Sequence, residues 1–209
     1  MKDRVRMVVV LVVSAAISAT LLGWVYNYTK PTVQINQEKK LKRMVLDAFS
    51  IPYDEANLLE VFAGSVEVVT GPSGAYYRAY EMKNGVKTYT GVAFELSGPG
   101  FWAPIRVILA LDEDLQTVRG FKVVEQAETP GLGGRMNEPW FQEQFKGKKI
   151  VPALHVVHGT KASGPNEVDA ITGATETSKA LDRIISRGVA SFLAGMHGVP
   201  EAQDPPQHD

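Results

Sequence analysis

The chain has 209 residues, 44% of them hydrophobic, with a formal net charge of -1. That suits one domain of ordinary size plus an appendage, and it leaves no excess of positive charge to draw a nucleic acid. Cysteine is absent, which excludes structural disulfides, thiolate-held iron–sulfur clusters, cysteine nucleophiles and a lipid-modified cysteine anchor.

Residues 7–29 carry no charge, and Val8, Val9, Val10, Leu11, Val12 and Val13 stand at their front. A run of this length and character crosses a bilayer core of about 30 Å. Lys2, Arg4 and Arg6 precede it against a single Asp3, and Trp24, Tyr26 and Tyr28 gather at its far end. Positive charge before the span and aromatics at its exit put residues 1–6 in the cytoplasm and everything after Lys30 outside the inner membrane. The small residues Ser14, Ala15, Ala16, Ser18 and Ala19 raise a cleaved signal peptide as the alternative. The apolar run continues past them through Leu21, Leu22, Trp24, Val25 and Tyr26, longer than a signal h-region, so an uncleaved anchor is the expectation.

Residues 30–62 read as stalk or docking helices. After Pro31, Leu41, Met44, Val45 and Ala48 fall on one helical stripe, with Lys39, Lys40, Lys42 and Arg43 opposite. Ile51-Pro52 ends that pattern, because the residue before proline avoids helical geometry. Strand periodicity follows over residues 66–70, 76–82 and 86–96, the last two joined across Asn84-Gly85, a strong hairpin signal. A second hairpin joins residues 105–111 and 117–124 across Asp112-Glu113-Asp114. Strands linked by short turns are antiparallel, and no β–α–β alternation points to a doubly wound nucleotide fold.

Beyond Gln126 the chain turns irregular and glycine-rich, with a short helix predicted over 138–145 and short strands over 155–157 and 168–170. A final amphipathic helix is predicted over 176–196, with Leu181, Ile185, Gly188, Phe192 and Met196 in line. Residues 198–209, rich in proline and poor in apolar side chains, read as a disordered tail. The fold class is therefore α+β: one N-terminal transmembrane helix, then an extracytoplasmic domain over 63–197 built on a twisted, mostly antiparallel sheet with packed helices.

Three glycine-bearing segments fall in predicted loops: residues 97–102 (Ser-Gly-Pro-Gly-Phe-Trp), 128–134 (Glu-Thr-Pro-Gly-Leu-Gly-Gly) and 172–175 (Thr-Gly-Ala-Thr). Each taken singly is explained as a turn. The third is more telling, because it lies between a strand and a helix, behind Asp169. A hydroxyl on a small-residue turn at a helix start sits where unpaired N–H groups and the helix dipole favour a phosphate. Glycine lets backbone approach a ligand, and Trp102 or Leu132 offers cover for a flat ring. The run Gly131-x-Gly133-Gly134 lacks the spacing and the strand-to-helix setting of a dinucleotide fingerprint.

Other chemistries fare worse. A serine or threonine hydrolase needs a histidine base, and His155, His158, His197 and His208 belong to no nucleophile-elbow pattern. His155 and His158, three apart on a strand, point to opposite faces with no carboxylate at ligand spacing, so no metal site is expected. A membrane-tethered ligand-binding or sensory domain is the alternative that keeps the same loops.

These segments carry a resemblance. The run 169–178 (Asp-Ala-Ile-Thr-Gly-Ala-Thr-Glu-Thr-Ser), the run 128–133 (Glu-Thr-Pro-Gly-Leu-Gly), the run 98–102 (Gly-Pro-Gly-Phe-Trp) and the single N-terminal span resemble the G subunits of Rnf-type ferredoxin:NAD⁺ oxidoreductase complexes. More broadly they are similar to the FMN-binding domain shared with the C subunits of sodium-pumping NADH:quinone reductases. The short length favours the G type.

The resemblance implies an FMN esterified through its phosphate to Thr175, put there by a separate flavin transferase that uses FAD. It implies that Thr172, Gly173 and Ala174 form the turn behind Asp169, and that the N–H groups of Thr177 and Ser178 face the phosphoester. Glu128, Thr129, Leu132 and Gly133, with Gly100 and Trp102, are expected to frame the ring or its ribityl chain. The implied role is an electron relay, without turnover of its own, among the other subunits of a redox-driven ion pump in the inner membrane.

Overall fold

The computed structural model describes residues 2–72, 74–83 and 85–196; Asn84 of the expected hairpin turn and the expected disordered tail, 198–209, lie outside them. The chain divides into two compact units, Met1–Lys40 and Leu41–Asp209.

The described residues of the first unit are all helical, the N-terminal part of α1 (Lys2–Phe49). It supplies the one helix among the described residues long and apolar enough to cross a membrane. Val8, Leu11, Leu22 and Trp24 are 58–70% exposed, a surface that suits lipid rather than water. The Thr20 and Thr29 hydroxyls donate to the carbonyls of Ala16 and Val25, one turn back, at 2.8 and 2.9 Å, so they present no unpaired polar group to hydrocarbon. Trp24 stacks on Tyr28, and the Lys30 ammonium lies 5.9 Å from the Tyr26 ring centre. The helix does not restart after Pro31 but runs through it. Proline removes one helical N–H there, on an exposed stretch where water can pair the released carbonyl.

The second unit opens with residues 41–49 of α1, which end at Ser50 in left-handed geometry (φ 57). The Ile51 N–H donates to Leu46 O at 3.0 Å, a left-handed C-terminal cap that stops the helix just before Pro52. After α2 (Leu58–Ser65) come β1 (Val66–Gly71), β2 (Gly74–Lys83), β3 (Val86–Pro99), β4 (Pro104–Asp112) and β5 (Val118–Glu125). They form one antiparallel sheet in sequence order.

The central strands are buried on both faces. Val92, Phe94, Leu96, Ile105, Val107, Leu109 and Leu111 join one apolar cluster, whereas Ala93, Ile108 and Ala110 join another. Val45, Leu46, Ala48 and Phe49 of α1, with Leu58 and Phe62 of α2, cover the second face. The structure thus draws the edge of the compact unit at Leu41, earlier than the residue 63 expected from sequence. The stripe seen in the sequence packs onto a sheet. Gly120 of β5 permits the approach, since a Cβ there would stand 2.3 Å from Ala48 O.

The other face carries the remaining elements. A 3-10 turn, Gly133–Asn137, leads into α3 (Pro139–Glu143). Phe141 and Phe145 pack on Phe121 of β5, with the Phe121 and Phe145 rings stacked at 4.1 Å. Two short parallel strands, β6 (His155–Val157) and β7 (Glu167–Asp169), precede α4 (Thr175–Met196). Along α4, Leu181, Ile184, Ile185, Val189 and Phe192 turn inward, and Phe192 stacks on Phe94 at 3.8 Å. The Asp182 carboxylate accepts the Val156 N–H at 2.8 Å and lies 3.3 Å from His155 Nδ1. It fastens β6 to α4, and it is the carboxylate that the neighbours of His155 in sequence did not supply.

Candidate functional site

Three loops converge at the start of α4. The first is the β3–β4 turn, where the Gly100 N–H donates to Ala103 O at 3.0 Å. The second follows β5: the N–H groups of Leu132 and Gly134 both donate to Thr129 O, at 3.1 and 3.0 Å, around Gly131 at φ 76. The third joins β7 to α4. There the Ala174 N–H donates to Ile171 O at 3.0 Å, and Gly173 stands third in the turn at φ 81. That position of a type II turn demands a positive φ, which glycine alone adopts freely.

Between them lies a cleft of ≈ 280 Å³, walled by Phe101 and Trp102, by Glu128, Thr129, Leu132 and Gly133, and by residues 173–177. Its rim is apolar and solvent-facing: Trp102 is 71% exposed and Leu132 44%. Thr175 is exposed and is the first residue of α4. The first N–H groups of a helix have no acceptor within it. Here the first α4 amide so paired is that of Ser178, which donates to Ala174 O at 2.9 Å. The N–H groups of Thr175, Glu176 and Thr177 are therefore the ones left for an anion.

Glu128 organises this site. Its carboxylate is buried, 4% exposed, and its partners are amides and a hydroxyl rather than a cation. Oε1 accepts the N–H groups of Phe101 and Trp102 at 2.9 Å each and of Ala103 at 3.4 Å. Oε2 accepts the Thr177 hydroxyl at 2.6 Å. Burial works to raise its pKa, but the Thr177 hydroxyl and the three amides outweigh that and hold it below the ordinary value. Glycines make the clamp possible. A Cβ on Gly100 would meet Glu128 Oε1 at 2.5 Å, and one on Gly133 would meet Thr177 Oγ1 at the same distance.

Not every residue expected at the site lies in the cleft. Ser178 is buried and committed to the helix: besides the amide bond, its hydroxyl accepts the Ile171 N–H at 3.1 Å. It shapes the turn, and the expectation that its N–H faces a phosphate is corrected. Asp169 lies back on β7, where its carboxylate accepts the Ala162 N–H at 2.5 Å, so it does not line the cleft. Thr172 is exposed on the turn, and Gly100 lies behind Glu128. Phe101 and Glu176 line the cleft, although the sequence placed them only within the resembling runs and gave neither a role at the site. Their signal was adjacency to Trp102 and Thr175.

The residues fit a flavin phosphate in a particular way. The lining offers helix-end amides and glycine walls but neither lysine nor arginine, and its charged members are Glu128 and Glu176. Such a cleft offers a phosphate hydrogen-bond donors but no cation, so it would hold a free phosphate weakly.

Comparison with known proteins points to the same family. Residues 100–190 match the FMN-binding domain, so all three loops fall within the match. The G subunit of an ion-translocating oxidoreductase complex from Methanosarcina acetivorans is 28% identical over 180 residues, 86% of this chain and 89% of that one. The C subunit of the Na⁺-translocating NADH-quinone reductase from Pasteurella multocida is 33% identical over 129 residues, 57% of this chain and 50% of its own length. The chain thus spans about half the length of that quinone-reductase protein. In fold, it matches the crystal structure of the corresponding C subunit from Parabacteroides distasonis (TM-score 0.66, 22% identity, 81% of this chain and 98% of that one). It also matches that of Shewanella oneidensis NqrC (TM-score 0.68, 20% identity, 79% and 100%).

Proposed function

We propose that this chain, whose residues 100–190 match the FMN-binding domain, is an electron-relay component of a membrane ion-translocating oxidoreductase, of the G-subunit kind, with FMN esterified to Thr175. The observation that carries the reading is the setting of Thr175. It is an exposed hydroxyl at the first position of a 22-residue helix, at the mouth of a glycine-walled cleft, beside three amides free to receive phosphate oxygens. A threonine hydroxyl is a poor nucleophile without a base, and the Asp169 carboxylate is occupied by the Ala162 amide. As the resemblance implies, a separate transferase approaching over Gly173 and Ala174 would make the bond: the Thr175 oxygen would displace AMP from FAD, its proton leaving to the transferase.

Attached FMN supplies a redox centre that takes up and passes on electrons, and the chain's own residues hold it at a solvent-facing rim. Trp102, Phe101 and Leu132 at the rim would cover its ring, and Gly133 and Gly173 would leave room for it along the cleft wall. Thr172 and Ser178 keep the turn in shape. The relay partners are the other subunits of the complex. Residues 7–29 anchor the chain as a single-pass protein of the inner membrane, with residues 1–6 cytoplasmic and the FMN domain outside.

The test is attachment. The full chain co-produced with an FAD-dependent flavin transferase should gain the mass of one esterified FMN and fluoresce in a denaturing gel under ultraviolet light. Thr175→Ala should be dark yet folded and inserted, and Thr172→Ala should retain a reduced signal. A dark wild-type band would leave a tethered binding or sensory domain instead, and a fluorescent Thr175→Ala would move the attachment elsewhere.

A further inference from the structure

We infer that Glu128 is a positioning residue of the flavin site: its ionised carboxylate gathers the Phe101–Trp102–Ala103 turn and the first turn of α4 onto one buried anion, and so sets the rim residues against Thr175. The inference rests on the FMN reading of the cleft. Three observations support it.

The first is the pattern of donors. One oxygen takes three consecutive backbone amides, Phe101, Trp102 and Ala103, and the other takes the hydroxyl of Thr177. Thr177 is 49 residues beyond Glu128 and Phe101 is 27 before it, yet this one side chain bridges the two segments. A buried carboxylate lacking a cation survives only with its lone pairs met in this way.

The second is the space around the clamp. Gly100 and Gly133 both approach so closely that a methyl group on either would strike Glu128 or Thr177. The neighbours are thus shaped to the carboxylate, as a site residue requires and a surface acid does not.

The third is location. Glu128 lines the cleft, and its donor Thr177 is two residues beyond Thr175 on the same helical turn. Phe101 and Trp102, whose amides it holds, are more than half exposed. Little packing holds their side chains, so the three amide bonds are the main restraint on where they stand. Release of the carboxylate would free the aromatic rim while leaving both hydrophobic clusters untouched.

Glu128→Gln tests this, because it keeps the size and one carbonyl acceptor while removing the charge. The full chain in detergent is compared as wild type, Glu128→Gln and Glu128→Asp. Amide exchange of Phe101 and Trp102 in the unloaded protein should quicken about ten-fold or more in Glu128→Gln, as loss of charge-assisted hydrogen bonds implies. Amides in β3 and β4 should keep wild-type rates. In wild type, the protection of those two turn amides, corrected for intrinsic exchange, should fall only as the pH drops below the ordinary carboxylate range, where the depressed Glu128 carboxyl takes up its proton. In Glu128→Gln it should be flat, a signature that a packing role would not produce. The initial rate of covalent FMN loading should fall about ten-fold in Glu128→Gln and recover in part in Glu128→Asp.

The outcomes separate cleanly. A dark wild type defeats the FMN reading, whatever the exchange data say. A fluorescent wild type with Glu128→Gln matching it in exchange, pH profile and loading overturns the role of Glu128. Should Glu128→Gln lose β3 and β4 protection as well, Thr177→Val decides. That variant removes the hydroxyl donor alone; intact sheet protection with slowed loading supports the positioning role, and wild-type loading overturns it.

Discussion

Replacing Gly133 by alanine puts the clamp under direct strain. The new methyl carbon would lie 2.5 Å from Thr177 Oγ1, 2.8 Å from Thr177 Cγ2 and 2.9 Å from Glu128 Cβ. Ordinary contact is about 3.5 Å, so these atoms must retreat by about 0.6–1 Å. Thr177 belongs to α4 and Glu128 Oε1 is tied to the Phe101–Ala103 turn, so neither has a free rotation that relieves the clash. Overpacking of this kind costs about 1–3 kcal/mol, and loss of the hydroxyl-to-carboxylate bond adds about 1.5–3 kcal/mol. Together they come to about 2.5–6 kcal/mol, a large share of the roughly 5–15 kcal/mol that holds a domain folded. Urea unfolding of the unloaded full chain in detergent, followed by near-ultraviolet circular dichroism, reads this directly. Gly64→Ala serves as the control, because nothing lies within 4 Å of its added methyl; it should leave stability equal or slightly higher. If Gly133→Ala unfolds within about 0.5 kcal/mol of wild type, a loss no larger than at ordinary surface positions, the clamp is not rigid and the reasoning fails.

Gly120→Ala should destabilise by about 2–4 kcal/mol, since the obstacle is the Ala48 carbonyl rather than a mobile side chain; a wild-type urea midpoint would show that α1 lifts away from the sheet at little cost. Acid should weaken the domain in a defined window. The pKa of Glu128 is depressed, burial being outweighed by the Thr177 hydroxyl and the turn amides, and that of Asp114 is depressed chiefly by the Thr117 hydroxyl. Groups of that kind lend full stability above their ordinary values of 4.5 and 3.8 and lose it as pH falls toward their folded values. Unfolding free energy should therefore decline below about pH 4.5, and more shallowly in Glu128→Gln; an unchanged acid limb in that variant would refute the assignment.

The sheet was legible because alternation and turn residues act locally. Glycine, asparagine and aspartate clusters separated the strands, and the final helix begins within one residue of its predicted start. The two-sided burial of β3 and β4 was harder to read. Ala93 and Ala110 cover the second face, and alanine carries little strand signal. Pro31 does not divide the helix: proline penalises a helix interior, yet one lost amide does not outweigh forty-eight residues of helix. At the cleft, glycine-rich runs marked which loops to compare. What local pattern could not reveal was the pairing of Glu128 with Thr177 or of Asp182 with Val156, since each joins segments tens of residues apart. The same holds for Ser178, whose hydroxyl turns back to Ile171 because the tight turn brings that amide within reach.

The position of Thr175 has a mechanical consequence. Its backbone is the first of a stiff rod whose far portion is bolted to the sheet by the Phe192 and Phe94 rings. A group esterified there swings only about its own single bonds, like a lamp on a short bracket rather than a weight on a string. On the proposed relay role, donor and acceptor would have to come to it, or the whole domain would have to be carried between them.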